Sequence, residues 1–204
     1  MSAPAAVGAR TVNLVLAGVG GQGSVLATQI VGQAAVLAGH QVVTSEVHGM
    51  SQRGGTVVTA VRYGADPGAP TVPRGEADYL VAFERLEGLR FLPWLRPGGT
   101  VVLNNQAIRP TVESLKLTGY PTEIEERLRA HAGTVLVTPA LALARGIGNP
   151  RLVSTAVLGA LSVVLDLPRE AWEKAVAGAV PRHTVEANLE AFKEGALMAR
   201  WVTS

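Results

Sequence analysis

The stretch AGVGGQGSVLATQI, at residues 17–30, constrains the fold of this chain more than any other feature. Gly18, Gly20 and Gly23 are spaced as G-x-G-x-x-G, which is typical of a turn that joins a strand to a helix and lets a ligand approach the backbone. The β-branched run TVNLVLAG precedes the turn and predicts a buried strand, and an apolar helix is predicted from about residue 22 to residue 38. A second strand, QVVTSE, completes a β-α-β unit with parallel strands.

The rest of the chain alternates strands and helices up to about residue 140. Strands are predicted at residues 56–64, 77–83, 100–105 and 134–139 (the last strand of the chain), helices at residues 84–95 and 122–131, and a turn at residues 96–99. Thr122 and Glu125 have the spacing of a capping box, which predicts that they begin the second of these helices. This order of elements is typical of an α/β fold.

Only helices are predicted from residue 141 onward. One is buried near residues 152–165, another is opened by Pro168, and the last begins at Thr184. In the last helix, apolar residues at alternating spacings of four and three form an amphipathic stripe: Val185, Leu189, Phe192, Ala196 and Ala199. We therefore predict an α/β fold with a Rossmann-like doubly wound, mostly parallel sheet and a helical C-terminal segment, which is an appendage to the sheet. We expect residues 1–10 to be a flexible N-terminus and residues 11–204 to be a single domain.

The composition excludes several classes of protein. Hydrophobic residues make up 48% of the chain and charged residues 17%, which indicates a globular protein. The absence of cysteine excludes disulfides, thiolate zinc sites, cysteine-held iron–sulfur clusters and a cysteine nucleophile from this chain. A net charge of +2 without basic runs interleaved with aromatic residues argues against nucleic-acid binding. No signal peptide is recognisable and the most apolar run, from Leu152, is shorter than a membrane span, so we expect a cytoplasmic protein without membrane contact.

The glycine turn alone leaves two interpretations open. Glycines let the backbone approach a ligand closely, and the N–H groups at the start of the following helix favour an anion. Glu46 ends the predicted second strand, where dinucleotide-binding enzymes keep the acid that holds a ribose. The turn therefore indicates either an NAD or FAD site or tight packing of a strand and a helix without a ligand.

The segment SEVHGMSQRGG, at residues 45–55, predicts a second polar feature at the carboxyl end of a strand, where open α/β sheets bind ligands. Arg53 offers a charged fork beside the bare backbone N–H groups of Gly54 and Gly55, which suits an anion or a phosphate. His48 and Gln52 belong to the same segment. The alternative is a surface loop in which the glycines only adopt positive φ angles and the histidine is structural.

Taken together, these motifs resemble a known family. GVGGQG followed by SEVHGMSQRGGTVVTAVRYG is similar to the gamma-type domain of 2-oxoacid:ferredoxin oxidoreductases, and GNPRLVSTAVLGALS and VPRHTVEANLEAFKEG resemble the helical end of that domain. The form HGMSQRGG favours the small (beta) subunits of indolepyruvate ferredoxin oxidoreductases, because pyruvate-type gamma subunits usually lack the histidine and have an acidic residue before Arg-Gly-Gly. The resemblance covers nearly the whole chain beyond its first ten residues.

The resemblance implies one subunit of a larger cytoplasmic oxidoreductase. Such enzymes decarboxylate a 2-oxoacid on thiamine diphosphate, pass electrons through 4Fe–4S clusters to ferredoxin and transfer the acyl group to coenzyme A. The thiamine diphosphate and the clusters lie on the larger partner subunit, so this chain is expected to be inactive alone and to hold no catalytic residue, metal ion or cofactor of its own. Its implied role is to help hold coenzyme A at or near the subunit interface. The expected binding residues are Gly18, Gly20, Gly21, Gln22, Gly23, His48, Gln52, Arg53, Gly54 and Gly55.

Two other functions stay open. One is a stand-alone NAD- or FAD-binding oxidoreductase in which Glu46 holds the ribose. The other is a ligand-free module that only stabilises the larger subunit.

Overall fold

A computed structural model describes residues 10–48, 55–108 and 120–201. In these ranges the strands are β1 (Val12–Val19), β2 (Gln41–His48), β3 (Thr56–Gly64), β4 (Ala77–Ala82), β5 (Leu95–Asn104), β6 (Thr134–Thr138) and β7 (Arg200–Trp201). The α-helices are α1 (Ser24–Leu37), α2 (Arg85–Phe91), α3 (Ile124–Arg129), α4 (Ala140–Gly146), α5 (Val153–Ser162), α6 (Arg169–Ala179) and α7 (Val185–Leu197). Short 3-10 helices span Leu92–Trp94, Pro150–Leu152 and Arg182–Thr184.

The strands form one sheet in the order β2-β3-β1-β4-β5-β6-β7. The neighbours β1, β4, β5 and β6 are parallel, whereas β3 is antiparallel to both β2 and β1, and β7 is antiparallel to β6. The predicted parallel direction of β1 and β2 is therefore correct, but β3 lies between them. The α/β class and the mostly parallel, Rossmann-like sheet are confirmed.

Helices cover both faces of the sheet because side chains alternate along each strand. On one face Leu14, Leu16 and Val81 pack with α1 and the C-terminal helices, and on the other Val15, Leu80 and Leu103 pack with α2 and α3. The helix after β1 and the helix after β4 thus lie on opposite faces. The sheet is doubly wound, as predicted.

The C-terminal helices are part of the main core, so the prediction of an appendage is wrong. A Cβ atom built on Gly159 of α5 would lie 1.9 Å from Phe192 O, and one on Gly195 of α7 would lie 1.9 Å from Ala156 O. The two helices therefore cross in backbone contact, and Thr155 Oγ1 donates to Asn188 Oδ1 across the crossing at 2.7 Å. Such close contact requires glycine at both positions.

This crossing also moves the buried face of α7 away from the predicted apolar stripe. Of that stripe only Phe192 is buried; Val185, Leu189, Ala196 and Ala199 are half-buried. The buried positions of α7 are Asn188, Ala191, Phe192 and Gly195. Hydrophobicity alone could not identify this face, because a glycine and an asparagine form its centre.

Several predicted boundaries need correction. The turn at residues 96–99 is a bulge within β5, because Ala77 pairs with Leu95 and Tyr79 already pairs with Thr100. The capping box is wrong, because α3 begins at Ile124 after Glu123, without a side-chain hydrogen bond at that cap. Strand β6 is not the last strand. The two residues of β7 follow α7 and are too few to show a period.

Candidate functional site

The glycine turn and Gly55, the last residue of the predicted polar segment at residues 45–55, lie side by side at the carboxyl ends of the parallel strands. Strand β1 ends at Val19, and α1 begins after Gly23, which has a left-handed backbone with φ +80°. Gly20 N–H donates to Gly55 O, the residue before β3, at 2.9 Å. The structure thus brings together two of the predicted site segments.

The glycines of the turn have different roles. A Cβ atom on Gly18 would lie 3.0 Å from Phe83 Cβ, and one on Gly23 would lie 2.9 Å from Ser154 Oγ. These two glycines allow close packing on β4 and α5. Gly21 has a φ of +94° and open space around it, and both Gly20 and Gly21 are exposed. The tip of the turn is therefore accessible.

The side-chain amide of Gln22 takes the place of one rung of the sheet. Phe83 N–H donates to Ala17 O at 2.8 Å, and a regular parallel ladder would continue with Val19 N–H donating to Phe83 O. Instead, Val19 N–H donates to Gln22 Oε1 at 2.8 Å, and Gln22 Nε2 donates to Phe83 O at 2.9 Å. The amide thus joins the ends of β1 and β4 where the two strands separate.

This position is the topological switch point of the sheet, because the helices that follow β1 and β4 lie on opposite faces. Open α/β sheets bind ligands in the crevice at that point. Gln22 spans this crevice, and its Nε2 also donates to Gln106 Oε1 at 3.2 Å. Asn104, fully buried at the end of β5, donates to Phe83 O and to Gln106 Oε1. Sequence reasoning missed this use of Asn104 and Gln106, since Phe83 and Gln22, which they bind, are far away in the chain.

Glu46 does not lie where a dinucleotide-binding acid would lie. It pairs with Thr59 of β3, which pairs with Leu16 of β1. Strand β3 thus separates Glu46 from β1 by two strand spacings, about 10 Å. Glu46 is also level with Leu16, three residues before the end of β1 and about 10 Å along the strand from the turn. The acid therefore cannot bind the ribose of an adenosine diphosphate unit whose phosphates lie at the turn, as it does in an NAD site.

A buried carboxylate that sequence reasoning also missed stabilises the neighbouring segment. Glu84 is 1% exposed and begins α2, where its Oε2 accepts from Glu87 N–H at 3.0 Å. Its Oε1 accepts from Ile108 N–H at 2.9 Å and from Tyr120 OH at 2.6 Å. Burial and the bond to Glu84 raise the pKa of Tyr120. The only local sequence signal for this role is that Glu84 stands three positions before Glu87, whose helical N–H group it binds.

A second acidic residue connects α2 with the start of β3. Glu87 is 4% exposed, and its Oε1 accepts from Arg90 Nη1 at 2.8 Å. The same Arg90 nitrogen donates to Thr56 Oγ1, next to Gly55. Burial raises the pKa of the Glu87 carboxyl group, although Arg90 opposes this shift. These contacts fix the position of Thr56, the first residue of β3.

The remaining predicted site residues belong to the segment at residues 45–55. His48 ends β2, and its backbone pairs with Val57. Gln52, Arg53 and Gly54 lie outside the described residues. Their assignment stays a prediction.

The start of α1 is suited to an anion. It has no side-chain cap and no acidic residue in its first turn, so within the described ranges its first N–H groups have no side-chain acceptor. Among the described residues, no group of three histidine, cysteine or acidic side chains could hold a metal ion. No helix in the same ranges is long and apolar enough to cross a membrane.

The fold and the site define an α/β protein with an anion-competent glycine turn at the switch point of its sheet. The sequence pattern of the pyruvate ferredoxin/flavodoxin oxidoreductase family matches residues 13–198, and the chain belongs to this family. It is 37% identical to indolepyruvate oxidoreductase subunit IorB of Thermococcus kodakarensis over 92% of this chain and 96% of that protein. The IorB subunit of Pyrococcus horikoshii is 38% identical with the same coverage of both chains. The resemblance seen in the motifs is confirmed.

Solved structures share the fold. Pyruvate oxidoreductase subunit PORC of Thermotoga maritima is 22% identical, with a TM-score of 0.70 over 95% of this chain and 99% of that chain. The 2-oxoglutarate:ferredoxin oxidoreductase of Magnetococcus marinus, solved with 2-oxoglutarate, coenzyme A and succinyl-CoA bound, is 21% identical, also with a TM-score of 0.70. The match covers 93% of this chain and 31% of the Magnetococcus chain. The same fold therefore occurs as a separate subunit and as part of a longer chain.

Proposed function

We propose that this chain is the small subunit of a hetero-oligomeric 2-oxoacid:ferredoxin oxidoreductase of the indolepyruvate type. The observation that carries this proposal is the similarity to IorB subunits along nearly the whole length of both chains. A module that shared only the fold would not be expected to match one subunit type from end to end at this identity.

In the proposed enzyme, the larger subunit holds thiamine diphosphate and the 4Fe–4S clusters. Thiamine diphosphate supplies the carbanion chemistry that decarboxylates the 2-oxoacid, and the clusters pass the electrons to ferredoxin. The absence of cysteine from this chain agrees with such a division, because thiolates are the usual cluster ligands. The protein would work in the cytoplasm.

The second part of the proposal concerns coenzyme A at the subunit interface. A phosphate group would fit the start of α1, because the exposed Gly20 and Gly21 leave room and no described side chain caps the first N–H groups of the helix. Gly18, Gln22 and Gly23 would shape this turn. His48, Gln52, Arg53, Gly54 and Gly55 would contribute from the loop that ends beside Gly20.

Co-expression with the larger subunit tests the function. We expect a stable complex that reduces a viologen dye only when a 2-oxoacid and coenzyme A are both present, and faster with indolepyruvate than with pyruvate or 2-oxoglutarate. The small chain alone should give no dye reduction even with thiamine diphosphate added. Activity of the lone chain, or a complex that prefers pyruvate, would contradict the proposal.

Arg53 provides a sharper test of the coenzyme A site. A charge-assisted hydrogen bond contributes roughly 1.5–3 kcal/mol, so Arg53→Ala should raise the KM for coenzyme A about tenfold to a hundredfold. Arg53→Lys should recover only part of the affinity, because an ammonium group lacks the planar fork. Arg127→Ala, on the exposed face of α3, is the matched control and should change nothing. A normally assembled Arg53→Ala complex with an unchanged KM would exclude the proposed role.

A further inference from the structure

A pocket of about 310 Å³ lies between the C-terminal end of α5, the first turn of α6 and the C-terminal half of α7. We call it the C-terminal pocket. Leu167, Trp172 and Phe192 are its buried walls, whereas Val163 and Leu197 are 46% and 66% exposed beside it. Its volume is at the small end of the range of about 300–1,000 Å³ found for ligand sites. An apolar group of modest size would be buried there.

The indole ring of Trp172 is a buried wall of the pocket. Trp172 is 1% exposed and lines the pocket, with the Phe192 ring 5.8 Å away between centroids. Its Nε1 has no partner among the described residues and almost no accessible surface, so a ligand in the pocket contacts the ring and not the N–H group. The indole therefore reports on the pocket without supplying a hydrogen bond.

The charge at the pocket is positive. Arg169 and Lys193 line it, and none of its described lining residues is acidic. Glu173 accepts from Arg169 Nε at 2.7 Å, but no described acceptor binds the terminal nitrogens of that guanidinium. Lys193 has no ion pair with a described residue and is exposed. A ligand that brings one negative charge would therefore meet two cations: Lys193, and Arg169, which is already paired with Glu173 through its Nε.

We propose that the C-terminal pocket binds a small carboxylate with an aromatic or branched apolar body. The body lies against Leu167 and Phe192, and the carboxylate lies toward Lys193 and Arg169. This site is separate from the glycine turn. Ser154, near Gly23, and Ser162, at the pocket, are eight residues apart on α5, which corresponds to about 12 Å. The proposal does not depend on the catalytic function of the complex.

Nuclear magnetic resonance of the full, nitrogen-15-labelled chain tests this site, because the chain has three tryptophans and hence three indole N–H signals. The signal of Trp172 is assigned by its loss in Trp172→Phe. On titration with 3-phenylpropionate, we expect only this indole signal to shift, with half-saturation at about 1 mM or below. The neutral amide of the same acid should bind more weakly, and acetate, without the apolar body, should not shift the signal.

Variants separate the charge from the cavity. Lys193→Gln should weaken binding of the acid about twofold to fivefold, as expected for an exposed ion pair, and leave binding of the amide unchanged. Lys174→Gln removes the same charge from α6 outside the pocket and should have no effect. Ala196→Leu should fill the pocket and abolish the shift while keeping the helix propensity.

Two results would overturn the proposal. One is the absence of a saturable Trp172 shift with the acid, including the case in which that signal moves only when the larger subunit is added. The other is equal binding of acid and amide, which would remove the carboxylate from the ligand class.

Discussion

Exchanging Gln22 for glutamate tests whether a side-chain amide closes the sheet at its switch point. Val19 N–H can only donate and Phe83 O can only accept, so their positions fix Oε1 toward β1 and Nε2 toward β4. In Gln22→Glu the first contact survives. The second oxygen of the new carboxylate then faces Phe83 O and Gln106 Oε1, which are both acceptors.

The expected cost follows from these contacts. Two hydrogen bonds are lost, at about 1 kcal/mol each, and a charged oxygen is left in a half-buried position without a donor. We expect the free energy of unfolding at neutral pH to fall by about 2–3 kcal/mol, which lowers the Tm of a chain of this size by about 4–12 °C. Gln22→Leu should cost less, about 1–2 kcal/mol, because β1 and β4 can then move together and form the missing rung.

The pH dependence separates this explanation from a general weakening of the fold. Two nearby acceptors raise the pKa of the new carboxyl group in the folded state, and its protonated form donates one hydrogen bond to Phe83 O. Stability is therefore retained below the unfolded-state pKa and is lost as pH rises through the folded-state pKa. The Tm difference from the wild type should grow between about pH 4 and pH 7.

Thermal unfolding followed by circular dichroism over this pH range measures the difference. Gln29→Glu makes the same chemical change on the exposed face of α1 and should alter stability by less than about 0.5 kcal/mol at any of these pH values. A Gln22→Glu chain that melts like the Gln29→Glu control, or whose deficit does not vary with pH, would show that the amide does not bridge the strands.

Two other substitutions, and a third that serves as a control, test contacts that stabilise the fold. Tyr120→Phe should lower the free energy of unfolding by about 1.5 kcal/mol, since it removes a 2.6 Å hydrogen bond to buried Glu84. Because the pKa of Tyr120 is raised in the folded state, the wild type should also lose stability above about pH 10 more steeply than this variant. Gly195→Ala should lower the free energy of unfolding by about 2–3 kcal/mol, because it forces α5 and α7 apart. The control Gly178→Ala, with open space on α6, should raise it by about 0.5–1 kcal/mol. Unfolding in guanidinium measures both changes.

The elements that could be predicted from sequence carry their own local signals. The glycine spacing between a buried strand and an apolar helix predicts β1, the turn and α1 to within two residues. The bounds of β3 agree with the structure at both ends, because an alternating pattern lies between Gly55 and a turn that begins at Gly64. The helix opened by Pro168 and the helix after Thr184 also begin where predicted.

The pairing of the strands could not be predicted in the same way. The pattern of β3 says that it is a strand, but nothing in it says that it enters between β2 and β1. Backbone hydrogen bonds join β3 to its neighbours, and every sequence can make such bonds. The side-chain pattern therefore does not identify which strands they are. The same holds for the site. The turn has a local pattern and was predicted, but the side-chain contacts were not, because Gln22 binds a carbonyl 61 positions away and Asn104 binds one 21 positions away.

The position of β3 also explains how a G-x-G-x-x-G turn can exist here without a dinucleotide. In a dinucleotide site, the strand next to β1 ends in the acid that holds the ribose. Here that neighbour is antiparallel β3, whose first residues, and not its last, lie beside the turn. What reaches the turn is therefore the backbone of Gly55, at the end of a loop, and not a carboxylate at the end of a strand. Among the described residues no acid lies there and no side chain caps α1, so the first N–H groups of this helix suit an anion better than a ribose hydroxyl.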